Sequence, residues 1–293
     1  MGSRASGRAG RPADQPVPPR RGRSSNSAYI FPRHPSEADR LDLQHYALRE
    51  ALGRNYLAPV STPHLVLDVG CGSGQWAYDL CTEYPEALVV GLDLVPSKPG
   101  RPPNFRFVRS NVLQGLPFVP DRFDFVHQRL LIGGVPMNSW PPLVSGLVRV
   151  TRPGGWIELV EVGFEVEPAG PATRRMVEMM QRLGRSFGLD TTGIVLRSLG
   201  DYLRRAGGTE VQEGSVTVPI GEWGGRIGSF LASDFRAGAT RVCSVFEARF
   251  GLSADECRDL LSAMPPEWEA HKSQLSFAYA FGRKSASTSG RPG

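Results

Sequence analysis

The stretch Val66-Leu67-Asp68-Val69-Gly70-Cys71-Gly72-Ser73-Gly74-Gln75-Trp76 decides the fold. An apolar run from Leu65 to Val69 ends in three alternating glycines, and a helical pattern opens at Gln75. Glycine turns sharply and lets a ligand approach the backbone closely. The N–H groups at the start of the following helix favour an anionic or strongly polar group. The pattern predicts a strand, a turn and a helix, with a nucleotide-like ligand at the carboxyl edge of the first strand of an α/β sheet. The glycine spacing excludes the usual dinucleotide fingerprint, G-x-G-x-x-G, whose third glycine allows close helix–strand packing. Counted from Gly70, that third position falls on Gln75.

Outward from this stretch, strands and helices alternate. Strands are expected at 87–92 (closing on Asp93), 105–109, 123–127 and 156–162, with helices at 75–84 and 143–150. That order implies a mostly parallel sheet with helices on both faces. A helix over 36–52 precedes the first strand, and Pro59 and Pro63 separate the two. Beyond 162 the pattern changes. Helices are expected at 171–187 and 196–206, an alternating strand at 210–220, an aromatic-bearing helical stretch at 222–270 and a last strand at 275–283. The division is a disordered tail over 1–27, one domain over 28–284 and a second tail over 285–293. Within the domain, 28–60 forms a helical cap, and 171–195 and 222–270 form lid insertions.

Bulk properties narrow the class. The 293 residues, 40% hydrophobic and 22% charged, fit an ordinary globular protein. No apolar run approaches the roughly 20 residues that span a bilayer. With no apolar signal core at the N-terminus, a cytoplasmic location is expected. The net charge of +5 resides in residues 1–30, where six arginines face Asp14 alone. A neutral body lowers the expectation of nucleic-acid binding. The arginine tail reads either as an RNA- or partner-binding arm or as a solvated extension. Cys71, Cys81, Cys243 and Cys257 form no CxxC pair and no metal-ligand cluster, so reduced thiols and no metal are expected.

Several ordered blocks resemble the class I S-adenosylmethionine-dependent methyltransferases. Val66 to Gly74 is similar to that family's first motif, and Gly91-Leu92-Asp93-Leu94 to the second. Ser110-Asn111-Val112-Leu113 with Leu116-Pro117-Phe118 resembles the third, and Phe123 to His127 the fourth. Arg149-Val150-Thr151-Arg152-Pro153-Gly154-Gly155 resembles the loop before strand five. Tyr29-Ile30-Phe31-Pro32, Glu37 and Arg40-Leu41-Asp42-Leu43-Gln44-His45 resemble the segment before the core in the LaeA-type, secondary-metabolism branch. The resemblance implies a Rossmann-like, seven-stranded, mostly parallel sheet with an antiparallel last strand. It also implies S-adenosyl-L-methionine as cofactor and S-adenosyl-L-homocysteine as product.

Site roles follow from this resemblance and from side-chain chemistry. Asp93 is expected to accept hydrogen bonds from both ribose hydroxyls. Gly70, Cys71, Gly72 and Gly74 should pass under the methionine part, with Cys71 a small filler. Asp68 either orients that loop or meets the ammonium group. Asn111 stands where relatives carry an acid, and its amide oxygen can still accept from the adenine amino group. Leu94 and Val112 should pack on the adenine faces, and Gln128 should border the cofactor. His127 reads as a general base or as a packed core histidine, and His45 as a second base or a capping residue. Arg129 reads as a ligand for an anionic substrate group or as a partner of a core carboxylate.

Methyl transfer is an in-line displacement in which proximity can supply up to about 7–11 kcal/mol, so a general base is optional. Met176, Met179, Met180, Trp223, Phe230, Phe235, Met264 and Trp268 are candidates for an adaptable apolar acceptor wall, with Met180, Trp223 and Phe230 foremost. These expectations favour O- or N-methylation of a small aromatic or lipophilic specialised metabolite. A LaeA-like regulatory or partner-binding role is the alternative, and an RNA methyltransferase a third. No membrane partner is expected, and homodimerisation stays open.

Overall fold

The computed structural model describes residues 35–286. The tail over 1–27, the Tyr29-Ile30-Phe31-Pro32 segment and most of the tail over 285–293 lie outside them. A cap helix, α1 (Pro35–Leu52), precedes the alternating core β1 (Leu65–Val69), α2 (Gln75–Glu83), β2 (Leu88–Asp93), β3 (Phe105–Arg109), β4 (Phe123–Arg129), α3 (Trp140–Val150) and β5 (Thr151–Val162). The chain continues through α4 (Pro171–Ser186), α5 (Ile194–Arg205), β6 (Gly208–Pro219), α6 (Gly225–Phe250), α7 (Ala254–His271) and β7 (Gln274–Lys284). The strands form one seven-stranded sheet in the order β3-β2-β1-β4-β5-β7-β6. Strands β1 to β5 pair in parallel, and β7 runs antiparallel to both β5 and β6.

The apolar runs of β1, β2 and β4 are buried on both faces, as a doubly covered parallel sheet requires. On one face, Trp140 and Leu147 of α3 and Val195, Leu199 and Leu203 of α5 pack against Leu67, Val126 and Ile157. On the other, Trp76 and Leu80 of α2 pack against Val66, Val89 and Phe125. A third cluster gathers α1, α4, α6 and α7 around Met176, Phe246, Met264, Trp268 and Phe277. No helix among the described residues is long and apolar enough to cross a membrane.

Three local expectations change. Pro153-Gly154-Gly155 is not a turn before the fifth strand. It lies inside β5 as an irregularity, where the pairing with β4 shifts register between Phe123 and Phe125 and Gly154 takes φ +73°. The helical stretch 222–270 divides into α6 and α7, because Gly251 ends α6 at φ +71° and a Ser253/Glu256 capping box starts α7. That reversal folds α7 back along α6 and joins Cys243 to Cys257 in a disulfide, with Cα atoms 6.1 Å apart. The expectation of four reduced thiols therefore fails for this pair. Cys71 and Cys81 remain free and buried.

Candidate active site

The carboxyl edge of the parallel strands opens into one cavity of about 960 Å³, at the upper end of the range for ligand pockets. Its floor is the glycine loop after β1. Gly70 and Gly72 hold φ of +76° and +52°, the left-handed region that other residues enter at a cost. A Cβ on Gly70 would fall 2.4 Å from Leu131 Cδ2, and one on Gly72 2.9 Å from Leu41 Cδ1 of the cap. The loop therefore has no room for side chains at these two positions.

Asp93 ends β2 beside this loop. Its Oδ2 accepts from the Gly72 N–H at 2.9 Å, and its Oδ1 from the Val95 N–H at 3.1 Å. Burial pushes its carboxyl up, against the lowering effect of these N–H bonds. Each oxygen keeps acceptor capacity on the cavity side, which suits a vicinal diol. At the far end of the floor, Asn111, Val112 and Leu94 line the wall. Asn111 Oδ1 already accepts from the Leu113 N–H at 3.0 Å, capping a short turn, so its amide oxygen is shared. Burial pushes the Cys71 thiol well up, which keeps it protonated and inert.

A charged cluster lies where β4 ends. Arg129 lines the cavity, and its Nη2 donates to His45 Nδ1 at 2.7 Å. Burial lowers its guanidinium to about 10, so it stays cationic near neutrality. His45 Nε2 meets Asp79 Oδ2 of α2 at 3.0 Å. Burial also holds His45 and His127 below the ordinary histidine value, so both are neutral near pH 7.

Neither histidine opens onto the cavity. Both are 1% exposed. His127 stacks on Trp76 with ring centroids 3.7 Å apart, and its Nδ1 meets Asp68 Oδ1 at 3.2 Å. The pocket-base reading is corrected for both: His127 shares its strand face with Phe125, under α2, and His45 faces Arg129 and Asp79.

Gln128 points to the opposite sheet face and does not line the cavity. Its Nε2 donates to Glu161 Oε1 at 2.6 Å, and Glu161 also accepts from the Leu131 and Ile132 N–H groups at 2.8 and 3.0 Å. This fully buried glutamate, pushed up to about 7 by desolvation, clasps the loop that covers Gly70. Glu158, also pushed up to about 7, accepts from the Leu57 and Ala58 N–H groups and pins the segment between α1 and β1. Neither glutamate stood out in the sequence, because each lies inside an otherwise apolar strand pattern.

The far wall is apolar and comes from the lid. Leu231, Asp234, Phe235 and Gly238 of α6 face the cavity, the i, i+3, i+4, i+7 set of one helix face. Met180 and Val177 of α4 and Phe277 of β7 join them. Phe230 lies off that face and Trp223 lies before α6, so neither lines the cavity. Met176, Met179, Met264 and Trp268 belong to the lid's own core. Asp234 is the residue that reading for apolar residues missed. It accepts from Arg40 Nη1 at 2.5 Å and from Gln44 Nε2 at 3.2 Å, and so ties α6 to the cap. Of the expected cofactor residues, Asp68, Gly70, Cys71, Gly72, Asp93, Leu94, Asn111 and Val112 line the cavity. Gly74 instead caps α2 at φ +88°, against Tyr78 and Ser97.

A family described as a methyltransferase domain matches residues 66–155. The chain is 35% identical over 209 residues to the secondary metabolism regulator LAE1 of Cochliobolus heterostrophus, covering 67% of each protein. It is 29% identical over 274 residues to the N-methyltransferase sirN of Leptosphaeria maculans, covering 89% of this chain and 96% of sirN. The chain spans between about half and two thirds of the length of the secondary metabolism regulators it matches. A Haemonchus contortus phosphoethanolamine N-methyltransferase, solved with phosphomonomethylethanolamine and S-adenosylhomocysteine, shares the fold. Its TM-score is 0.50 at 17% identity, over 87% of this chain and 62% of that one.

Proposed function

The chain belongs to the class I S-adenosylmethionine-dependent methyltransferases, in their LaeA-type branch, and from that premise we propose that it methylates a small acceptor. The acceptor is an aromatic or lipophilic specialised metabolite, and the accepting atom is oxygen or nitrogen. The observation that carries this reading is a cavity with two unlike ends. One end offers a loop that is bare at Gly70 and Gly72 and a carboxylate, Asp93, and the other offers an apolar wall under the cap. A volume of about 960 Å³ accommodates a nucleoside cofactor together with a small acceptor.

The residues present fit the cofactor. Asp93 would hold the ribose hydroxyls, Leu94 and Val112 would flank the adenine, and the glycine loop would underlie the methionine part. When bound, S-adenosylmethionine supplies an electrophilic methyl on a sulfonium leaving group, displaced in line by the acceptor. The chain's own contribution is to orient the acceptor and exclude water. Met180, Phe235 and Phe277 bound the acceptor space, while Leu41 closes over Gly72 from the cap. Among the described residues no imidazole opens onto the cavity, so proximity takes precedence over general-base help from His45 or His127.

The similarity to sirN along nearly the whole of both chains supports an enzymatic role with a nitrogen acceptor. The similarity to LAE1 favours a second reading, in which the fold serves regulation through a partner. Release of S-adenosylhomocysteine in the presence of a panel of phenols and indole amines tests the first. Turnover with a panel member that is lost in Phe235→Ala supports it. Cofactor binding without turnover on any member favours the regulatory reading.

A further inference from the structure

We propose that Arg129 receives the α-carboxylate of the cofactor's methionine part, and that His45 and Asp79 are the positioning residues that hold it there. The inference rests on the functional reading above and adds a direct link between the cap and the cofactor.

The order of strands supplies the track. Asn111 follows β3, Asp93 ends β2, Gly70 follows β1 and Arg129 ends β4, and these strands are successive neighbours in the sheet. A ligand with its base near Asn111 and its diol on Asp93 crosses the glycine loop and next meets the end of β4. The group it presents there is the amino-acid terminus, and the cation waiting is Arg129.

The surroundings of Arg129 suit a carboxylate from outside the chain. Among the described residues no carboxylate lies within 4.0 Å of its guanidinium; Asp68, Glu158 and Asp79 act on it only from farther away. Its hydrogen-bond partner is a neutral imidazole. His45 Nδ1 accepts from Arg129, so the ring proton sits on Nε2 and is donated to Asp79 Oδ2. Asp79 is itself held by Gln75 Nε2 at 2.9 Å and by Arg49 Nη1 at 2.5 Å. An imidazole acceptor fixes one guanidinium nitrogen without neutralising the charge. The rest of the fork stays available for a bidentate carboxylate.

The three residues come from three elements: Arg129 from β4, Asp79 from α2 and His45 from the cap helix α1. Arg129 thus joins the cofactor site to the cap as one of its anchors, and cofactor binding and cap docking favour each other. An acceptor carboxylate is the competing ligand for Arg129, but the acceptor wall of Met180, Phe235 and Phe277 lies on α4, α6 and β7.

Calorimetric titration of the full chain with S-adenosylhomocysteine and with methylthioadenosine separates these cases, because the second ligand keeps the nucleoside and thioether but lacks the amino acid. Arg129→Met should weaken S-adenosylhomocysteine by about tenfold or more and leave methylthioadenosine within about twofold. Arg129→Lys should fall between, and His45→Phe should weaken S-adenosylhomocysteine alone by about three- to tenfold. Equal weakening of both ligands marks a purely structural Arg129 and overturns the proposal. So does unchanged S-adenosylhomocysteine affinity in Arg129→Met, which leaves the acceptor as its ligand. If Arg129→Met fails to fold, Arg129→Lys decides by the same ratio. A wild-type chain that binds neither ligand contradicts the functional reading itself.

Discussion

The two ends of the cavity are built by different means. The cofactor end is made of loops at strand ends, within a stretch of the chain that runs from Asp68 to Leu131. Its geometry is fixed by sheet pairing and by backbone that tolerates only glycine. The acceptor end is made of side chains from α1, α4, α6 and β7, segments separated by up to some 240 residues and brought together by helix packing. The first end should therefore respond steeply to small backbone changes. The second should accept side-chain exchange and change its preference.

The largest effect expected is on folding, through the buried polar tie between cap and lid that holds the acceptor end together. Arg40 donates to both Glu37 and Asp234, all three nearly buried. Arg40→Met leaves two carboxylates without this partner and should cost about 3–5 kcal/mol of stability, the usual result of breaking a buried ion pair. A denaturant melt checks it. A loss below 1 kcal/mol, within the range of exposed pairs, would show that the cap and lid do not depend on this contact.

Gly70→Ala comes next and acts on one end only. The left-handed backbone costs a non-glycine residue about 1–2 kcal/mol, and the new Cβ would meet Leu131. S-adenosylhomocysteine affinity should fall by at least about tenfold. The acceptor end sharpens the contrast. Met180→Leu conserves volume and should cost less than about 1.5 kcal/mol in stability. It should shift the ranking of acceptors while leaving S-adenosylhomocysteine affinity within about twofold. A change in cofactor affinity equal to that in acceptor affinity would dissolve the distinction between the ends.

The smallest effect is in pH dependence. Burial holds His45 and His127 low, so below about pH 6.5 the unfolded chain binds protons that the folded chain refuses, and stability falls with pH. Glu158 and Glu161, raised to about 7, act in the opposite sense, because the folded chain keeps protons that the unfolded chain releases above about pH 4.5. The wild-type profile is thus flattened by opposing contributions. The stability lost in His45→Gln should shrink between pH 7.5 and pH 5.5, measured as the difference in Tm from wild type. A gap that widens toward pH 5.5 would contradict a neutral His45.

How much the sequence revealed follows the same division. Gly70, Gly72 and Asp93 were legible because backbone torsion and strand ends leave local marks: alternating glycines and an acid closing an apolar run. His127 was ambiguous because strand alternation does not say where along one face the covering helix ends and the cavity begins. The structure gives His127 to α2 and leaves Arg129, two residues on, at the cavity. Phe230 and Phe235 looked alike as aromatics. Only the helix face shared by Leu231, Asp234, Phe235 and Gly238 separates them, and its role depends on packing against α1 and α4. Glu158 and Glu161 were hidden because buried carboxylates that bind backbone N–H groups carry no local pattern. The Cys243–Cys257 pairing needed the reversal at Gly251, which spacing alone does not reveal.

The claim on which the rest depends is that the loop after β1 and the acid ending β2 hold the methyl donor. Titrating S-adenosylhomocysteine into wild type and Asp93→Ala, with melting temperatures recorded for both, tests it most directly. The account predicts binding by wild type and a loss of about a hundredfold in the variant, from two charge-assisted hydrogen bonds, with both proteins folded. Equal affinity in the two proteins would contradict it.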